Sequence, residues 1–240
     1  ILREPSFPKA EFEKMREEIL AGIDQQKSDP QAIAFLRIDQ LTRVYPKSDF
    51  RYTSTFDEMT AAVKKMTIED LKKMYTDFYN SANATVAVVG EFDETKVLAS
   101  LNSILDKWTS PEKYTRAADN YAKATAQNDK IITPDKKNAT MSARLNLTLK
   151  DDNGEYPALI LGNYMLGGGF LNSRLATRIR QKDGLSYGVG SWLRASALDQ
   201  SGEFGSYAIY NPENSAKLIS AYQEELAKMI KDGFTDAELK

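Results

Sequence analysis

The 240-residue chain contains neither cysteine nor histidine. Tetrahedral zinc sites draw on thiolate and imidazole, and most nucleophilic triads use imidazole as their base, so both kinds of centre are excluded from these residues. No disulfide can form, and a cysteine-free chain suits cytosol and periplasm equally, so composition leaves the compartment open. Charge of one sign is not in excess either. Against 34 Asp and Glu stand 32 Lys and Arg, a formal net charge of -2, which offers no bulk attraction to nucleic acid or an anionic membrane. Long apolar runs are also missing: the most apolar uncharged segments, 84–90 and 158–166, fall short of the roughly 18 residues a membrane span needs. The opening Ile1-Leu2-Arg3-Glu4-Pro5-Ser6 has no Met and no basic-then-apolar leader, the pattern expected of a processed or excised chain.

What is present suffices for a core, since 42% of residues are hydrophobic and 28% charged. The first third reads as helices. Phe12, Met15, Ile19 and Ile23 recur at helical spacing after Ser6 and Pro8, and Pro30 opens a second segment through Ile33, Leu36 and Leu41 that Tyr45-Pro46-Lys47-Ser48-Asp49 closes. Phe56, Met59 and Val63 mark a third. Thr67 with Asp70 resembles a capping box ahead of Leu71, Met74, Tyr75 and Phe78, a fourth. These four are expected to form one helical layer. Thr85-Val86-Ala87-Val88-Val89 is short, β-branched and uncharged, so it is expected as a strand buried on both faces. Asp93 then caps a helix whose stripe is Val97, Leu98, Leu101, Ile104 and Leu105.

From Thr109 to Asp129 the periodicity fails, and 109–130 is the expected linker between 1–108 and 131–240. Beyond it Met141, Ala143, Leu145, Leu147 and Leu149 alternate with polar residues, the signature of a half-buried strand. After the Asp151-Asp152-Asn153-Gly154 turn come an apolar helix from Tyr156 to Leu166, a Gly167-Gly168-Gly169 break and a helix carrying Leu171, Leu175 and Ile179. Segments 186–198 and 203–210 read as an antiparallel hairpin. Asn211-Pro212 starts a long helix with Leu218, Ile219, Tyr222, Leu226, Met229 and Ile230 inward, and Thr235 with Glu238 opens another that the chain's end cuts off. The strands are expected in one mainly antiparallel sheet with helices on one face, an α+β fold.

The segment from Phe170 to Tyr187 combines a glycine break, a basic helix and a tyrosine at a strand start. On charge pattern alone the helix is a solvated amphipathic one with its arginines outward. Arg180 and Tyr187 nevertheless stand at a helix end and the following strand, where a guanidinium fork suits carbonyls or carboxylates and a phenol can donate to a developing oxyanion. Asp151 and Asp152 could bind a hard cation, but such a turn is far more often only a turn, and no metal is assigned. Gly167-Gly168-Gly169 has no phosphate-loop pattern and reads as a helix terminator that permits close packing. Trp192, Tyr207 and Tyr210 read first as packing residues of the hairpin.

The motifs Leu166-Gly167-Gly168-Gly169, Ser173-Arg174-Leu175, Arg180 followed by Gly184-Leu185-Ser186-Tyr187, and Pro212-Glu213-Asn214 resemble the C-terminal domain of the pitrilysin/insulinase family of zinc metallopeptidases. That family includes the mitochondrial processing peptidase and the non-catalytic core proteins of respiratory complex III. Val86-Ala87-Val88-Val89-Gly90-Glu91-Phe92-Asp93, preceded by Thr67-Ile68-Glu69-Asp70-Leu71 and Tyr79-Asn80, is similar to the end of the preceding domain. The resemblance implies two incomplete α+β repeat units. It also implies that the H-x-x-E-H zinc motif, absent from this chain, belongs to a partner half. The chain itself would hold no catalytic residue and no cofactor, zinc being in that partner. Arg180 and Tyr187 would hold the substrate backbone and stabilise the tetrahedral intermediate, and Gly167, Gly168 and Gly169 match the position of a glycine-rich substrate loop. The implied partners are the zinc-bearing half or subunit and a peptide or unfolded protein. Similarity to large two-repeat bacterial members favours the periplasm. The rival implication is a proteolytically inactive scaffold like the complex III core subunits.

Overall fold

A computed structural model describes residues 2–82 and 84–239. Its contacts gather into two units, one of Ile1–Ile23 with Glu58–Ala117 and one of Asp24–Asp57 with Ala118–Lys240.

The second unit is built on three strands, β1 (Ala139–Leu147), β2 (Ser186–Ala195) and β3 (Gly202–Tyr210), in one antiparallel sheet of order β1-β3-β2. Met141 of β1 and Val189 of β2 both stand opposite Ala208 of the central strand. Side chains alternate across a strand, so Met141, Val189, Phe204, Ala208 and Tyr210 share one face. There they meet Leu166, Leu175, Ala176 and Ile179 from the glycine-flanked segment and Leu218, Ala221 and Tyr222 from a long helix, Ser215–Asp232, forming the core. Within it the buried Ser206 and Tyr222 hydroxyls bond each other at 2.6 Å, which satisfies two polar groups that could not reach water.

The other face of the sheet was expected to be solvated and is not. A helix, Pro30–Thr42, packs over β1. The Arg144 side chain there is only 7% exposed and is paired with Asp39, while Asn146 donates to the Thr42 carbonyl at 2.9 Å and Phe35 lies 6.1 Å from the Trp192 ring. Helices therefore cover both faces. Strict alternation reveals which side chains share a face but not what lies over it. Here the covering helix brings a carboxylate to Arg144 and a carbonyl to Asn146, which offsets part of the penalty for burying them.

Between β1 and β2 the regular helices of the sequence reading are interrupted. An α-helix runs Tyr156–Asn163 and continues as a π-helical turn, Tyr164–Gly168; a 3-10 turn, Phe170–Asn172, and a second π-helical stretch, Ala176–Lys182, follow. Close packing on the sheet explains the deviation. A Cβ on Gly167 would lie 2.5 Å from Ser191 Oγ and 2.7 Å from its backbone nitrogen. In the long C-terminal helix, Leu218, Ala221, Tyr222 and Glu225 are buried, whereas Ile219 and Ile230, both expected inward, are exposed, Ile230 by 80%. The buried set follows the i, i+3, i+4, i+7 stripe, and Ile219 lies one position off it. Thr235 and Glu238 exchange the expected capping bonds, but only a single turn forms through Glu238.

The first unit is helical. It takes in most of Lys9–Lys27 and Phe56–Lys65, with Ile68–Phe78 and Glu94–Leu105. The Thr67–Asp70 capping box and the Asp93 cap form as expected. The layer of four helices does not, because Pro30–Thr42 belongs with the sheet. Phe7, Tyr79 and Trp108 pack around Tyr75, whose hydroxyl donates to the Leu2 carbonyl at 2.7 Å. The strand expected at Thr85–Val89 is absent: Val86 and Val88 are exposed and Val89 is 98% exposed. A strand needs a neighbour to take its N–H and C=O groups, and every regular element among this unit's described residues is a helix.

Candidate functional site

Tyr187 owes its position to a break in the ladder. Ser186 stands opposite Tyr210 and Gly188 opposite Ile209, so Tyr187 is the extra residue of a β-bulge. The buried Ser186 hydroxyl secures the break. It lies 2.7 Å from the Ile209 carbonyl oxygen and 2.9 Å from that of Gly188, either of which can take its proton, and it accepts the Gly188 N–H at 3.1 Å. Freed from pairing, the Tyr187 side chain is 61% exposed, and its phenol has no hydrogen-bond partner among the described residues. It lines a cleft of about 370 Å³ with Gln25, Ser28, Asp29, Pro30, Gln31, Lys136, Lys137 and Asn138, over Thr140 and Ile209.

Arg180 rides on the π-helical stretch just after Ile179, which is fully buried. The chain then turns toward β2 through Gly184 at φ 62°, with the Leu185 N–H bonded to the Ile179 carbonyl at 2.9 Å. Three arginines share this segment. Arg174 grips Glu238 through two bonds of 2.7 Å, and Arg178 reaches Asp183 at 3.0 Å and Glu224 at 3.1 Å. Hydrogen bonding from Arg174 pulls the Glu238 carboxyl down to about 2, against the opposing effect of burial. Arg180 is exposed and has neither hydrogen bond nor ion pair among the described residues. No hydrogen bond or cation–π contact joins it to Tyr187 among those residues, and it does not line the cleft.

The three glycines are all tightly packed. Gly167 presses on Ser191, and a Cβ on Gly168 or Gly169 would come within 2.9 Å of Asn163 Nδ2 or 2.8 Å of the Tyr164 carbonyl. Ser186 and the two cleft lysines were not singled out from the sequence. A signal for the bulge existed in Gly188, an isolated glycine inside a strand pattern; nothing local pointed to lysines some fifty residues upstream.

Zinc does not fit these side chains. The chain has no His or Cys, and the described residues contain no cluster of three or more His, Cys, Asp or Glu able to hold a metal ion. Among the described residues no helix is long and apolar enough to cross a membrane.

Fold and site together define an α+β domain with an antiparallel three-stranded sheet and, among the described residues, no cluster able to hold a metal ion. The model of the peptidase M16 inactive domain family matches residues 65–240, and the chain belongs to that family, the pitrilysin-type family its motifs resemble. One inactive domain replaces the expected pair of incomplete repeat units. Segment 109–130, where the periodicity fails, has neither helix nor strand and lies within the matched region. Over 239 residues the chain is 21% identical to the non-peptidase homolog YmxG of Helicobacter pylori, covering 100% of this chain and 53% of that one. It is 25% identical over 182 residues to an uncharacterized zinc protease of Streptomyces coelicolor, covering 74% and 39%. A solved peptidase M16 inactive domain from Pseudomonas fluorescens superposes with a TM-score of 0.79 at 26% identity, over 99% of this chain and 56% of that one. The chain thus spans about half the length of these relatives, or less.

Proposed function

We propose that this chain is the substrate-binding, non-catalytic part of a zinc metalloendopeptidase, and that Arg180 and Tyr187 complete an active site whose metal-bearing part stands on a partner half. The observation that carries the reading is the contrast among neighbouring side chains. Arg174 and Arg178 are consumed by structural ion pairs, while Arg180 is unpaired among the described residues and a serine-secured bulge lifts Tyr187 out of its ladder. An unpaired guanidinium can grip substrate carbonyls through two N–H groups, and a free phenol can donate to the oxyanion of a tetrahedral intermediate. Substrate would be extended peptide or unfolded protein, because the groups available recognise backbone. In the assembled enzyme, Tyr187→Phe should lower kcat about a hundredfold with the Tm unchanged, since an oxyanion donor acts mainly in the transition state. Arg180→Lys should instead raise KM, because the fork is lost. Wild-type kinetics in both variants would remove the roles assigned.

A second reading, a scaffold without proteolysis, is favoured by the relative described as a non-peptidase homolog. It differs in one measurable respect: both substitutions would then leave every property of the assembly intact.

A further inference from the structure

The cleft beside Tyr187 contains more charge than a backbone-binding surface needs. Lys136 and Lys137 stand on its rim, both exposed and without an ion pair among the described residues. The acid that shares the cleft, Asp29, is already engaged at the start of the Pro30–Thr42 helix, where its carboxylate accepts the Gln31 N–H at 2.9 Å. Two free cations therefore face one committed anion. Ser28 and Tyr187 add hydroxyl groups, and the about 370 Å³ of space suits one or two peptide residues rather than a folded partner.

We infer that this cleft receives a carboxylate of the bound peptide, placed next to the point where Tyr187 meets it. The inference rests on the substrate-binding reading of Tyr187 and adds what that reading leaves open, a preference for acidic or C-terminal peptide segments. The chemistry follows from the groups present. Two ammonium ions and hydroxyl donors satisfy a carboxylate's acceptor oxygens, while a neutral amide there offers a single carbonyl acceptor and no charge to the two lysines.

The test uses the ¹⁵N-labelled chain and three short extended peptides of one sequence: one with a free C-terminal carboxylate, one with a C-terminal amide, and one amidated but carrying an internal Glu. Amide shifts at Lys136, Lys137, Asn138 and Tyr187 should appear with at least one of the carboxylate-bearing peptides. Affinity for the plain amide should be about tenfold weaker, the loss of one charge-assisted contact. Which carboxylate peptide binds identifies the source, terminus or side chain. Lys136→Gln/Lys137→Gln should abolish the preference while resonances outside the cleft stay in place. Equal binding of all three peptides, or an unchanged preference in the double variant, overturns the inference. Arg180→Lys separates the two proposals: if it weakens all three peptides alike while the lysine variant changes nothing, backbone binding stands and the carboxylate site falls. If the lysine effect persists while Arg180→Lys changes no affinity, the carboxylate site stands and the role of Arg180 falls.

Discussion

Arg174, Arg178 and Arg180 look alike in a sequence, and their spacing marks one basic helix. Only their partners distinguish them, and apart from Asp183, which sits five residues beyond Arg178, those partners lie far along the chain: Glu238 for Arg174 and Glu224 for Arg178. The motif match singled out Arg180 and Tyr187, but local residues could not show that their neighbours are consumed. The pairing of Arg174 has its own consequence. Glu238 titrates near 2 in the folded chain and near the ordinary carboxylate value of about 4.3 when unfolded. A depressed folded value contributes stability above the unfolded value, and that contribution is lost as pH falls through the folded one. Glu238→Gln should therefore flatten part of the decline in stability between about pH 4.3 and 2. Only part is affected, because hydrogen bonding from Arg51 also draws Asp49 down to about 2. Denaturant melts at several pH values check this; an identical acid slope in the variant would show that the pair contributes nothing.

At the scale of elements, period-2 alternation located β1 and the hairpin of β2 and β3, because strand pairing and turn chemistry act over a few residues. A different signal, the continuous uncharged run Thr85–Val89, misled, since a β-branched run becomes a strand only with a neighbour to pair with. The π-helical turns were not legible either, and the only local sign of the bulge at Tyr187 was the glycine that follows it. The first π-helical turn arises where Gly167 lets its backbone approach that of Ser191, a partner distant in sequence. Gly167→Ala tests that cause. Its Cβ would lie 2.7 Å from the Ser191 nitrogen, a backbone atom that cannot swing aside. Overpacking of this kind should cost about 1–3 kcal/mol in a urea melt, whereas Gly154→Ala, with no atom within 4 Å, serves as a near-neutral reference. Equal stability of the two variants would mean that the helix segment does not rest on β2 as described.

For the molecule as a whole, the α+β class and the family were legible because they rest on motifs carried by contiguous residues. The helix that covers the polar face of the sheet was not, as its attachment depends on Arg144 and Asn146 meeting Asp39 and Thr42 about a hundred residues away. The central functional claim is that this chain supplies substrate contacts to a zinc site held elsewhere. It is tested most directly by measuring zinc-dependent hydrolysis of an extended peptide by the zinc-bearing half alone, by this chain alone, and by their mixture. Activity should appear only in the mixture and should fall about a hundredfold when the chain carries Tyr187→Phe. Hydrolysis by the zinc-bearing half that is indifferent to this chain, or equal rates with wild-type and Tyr187→Phe chains, would contradict it.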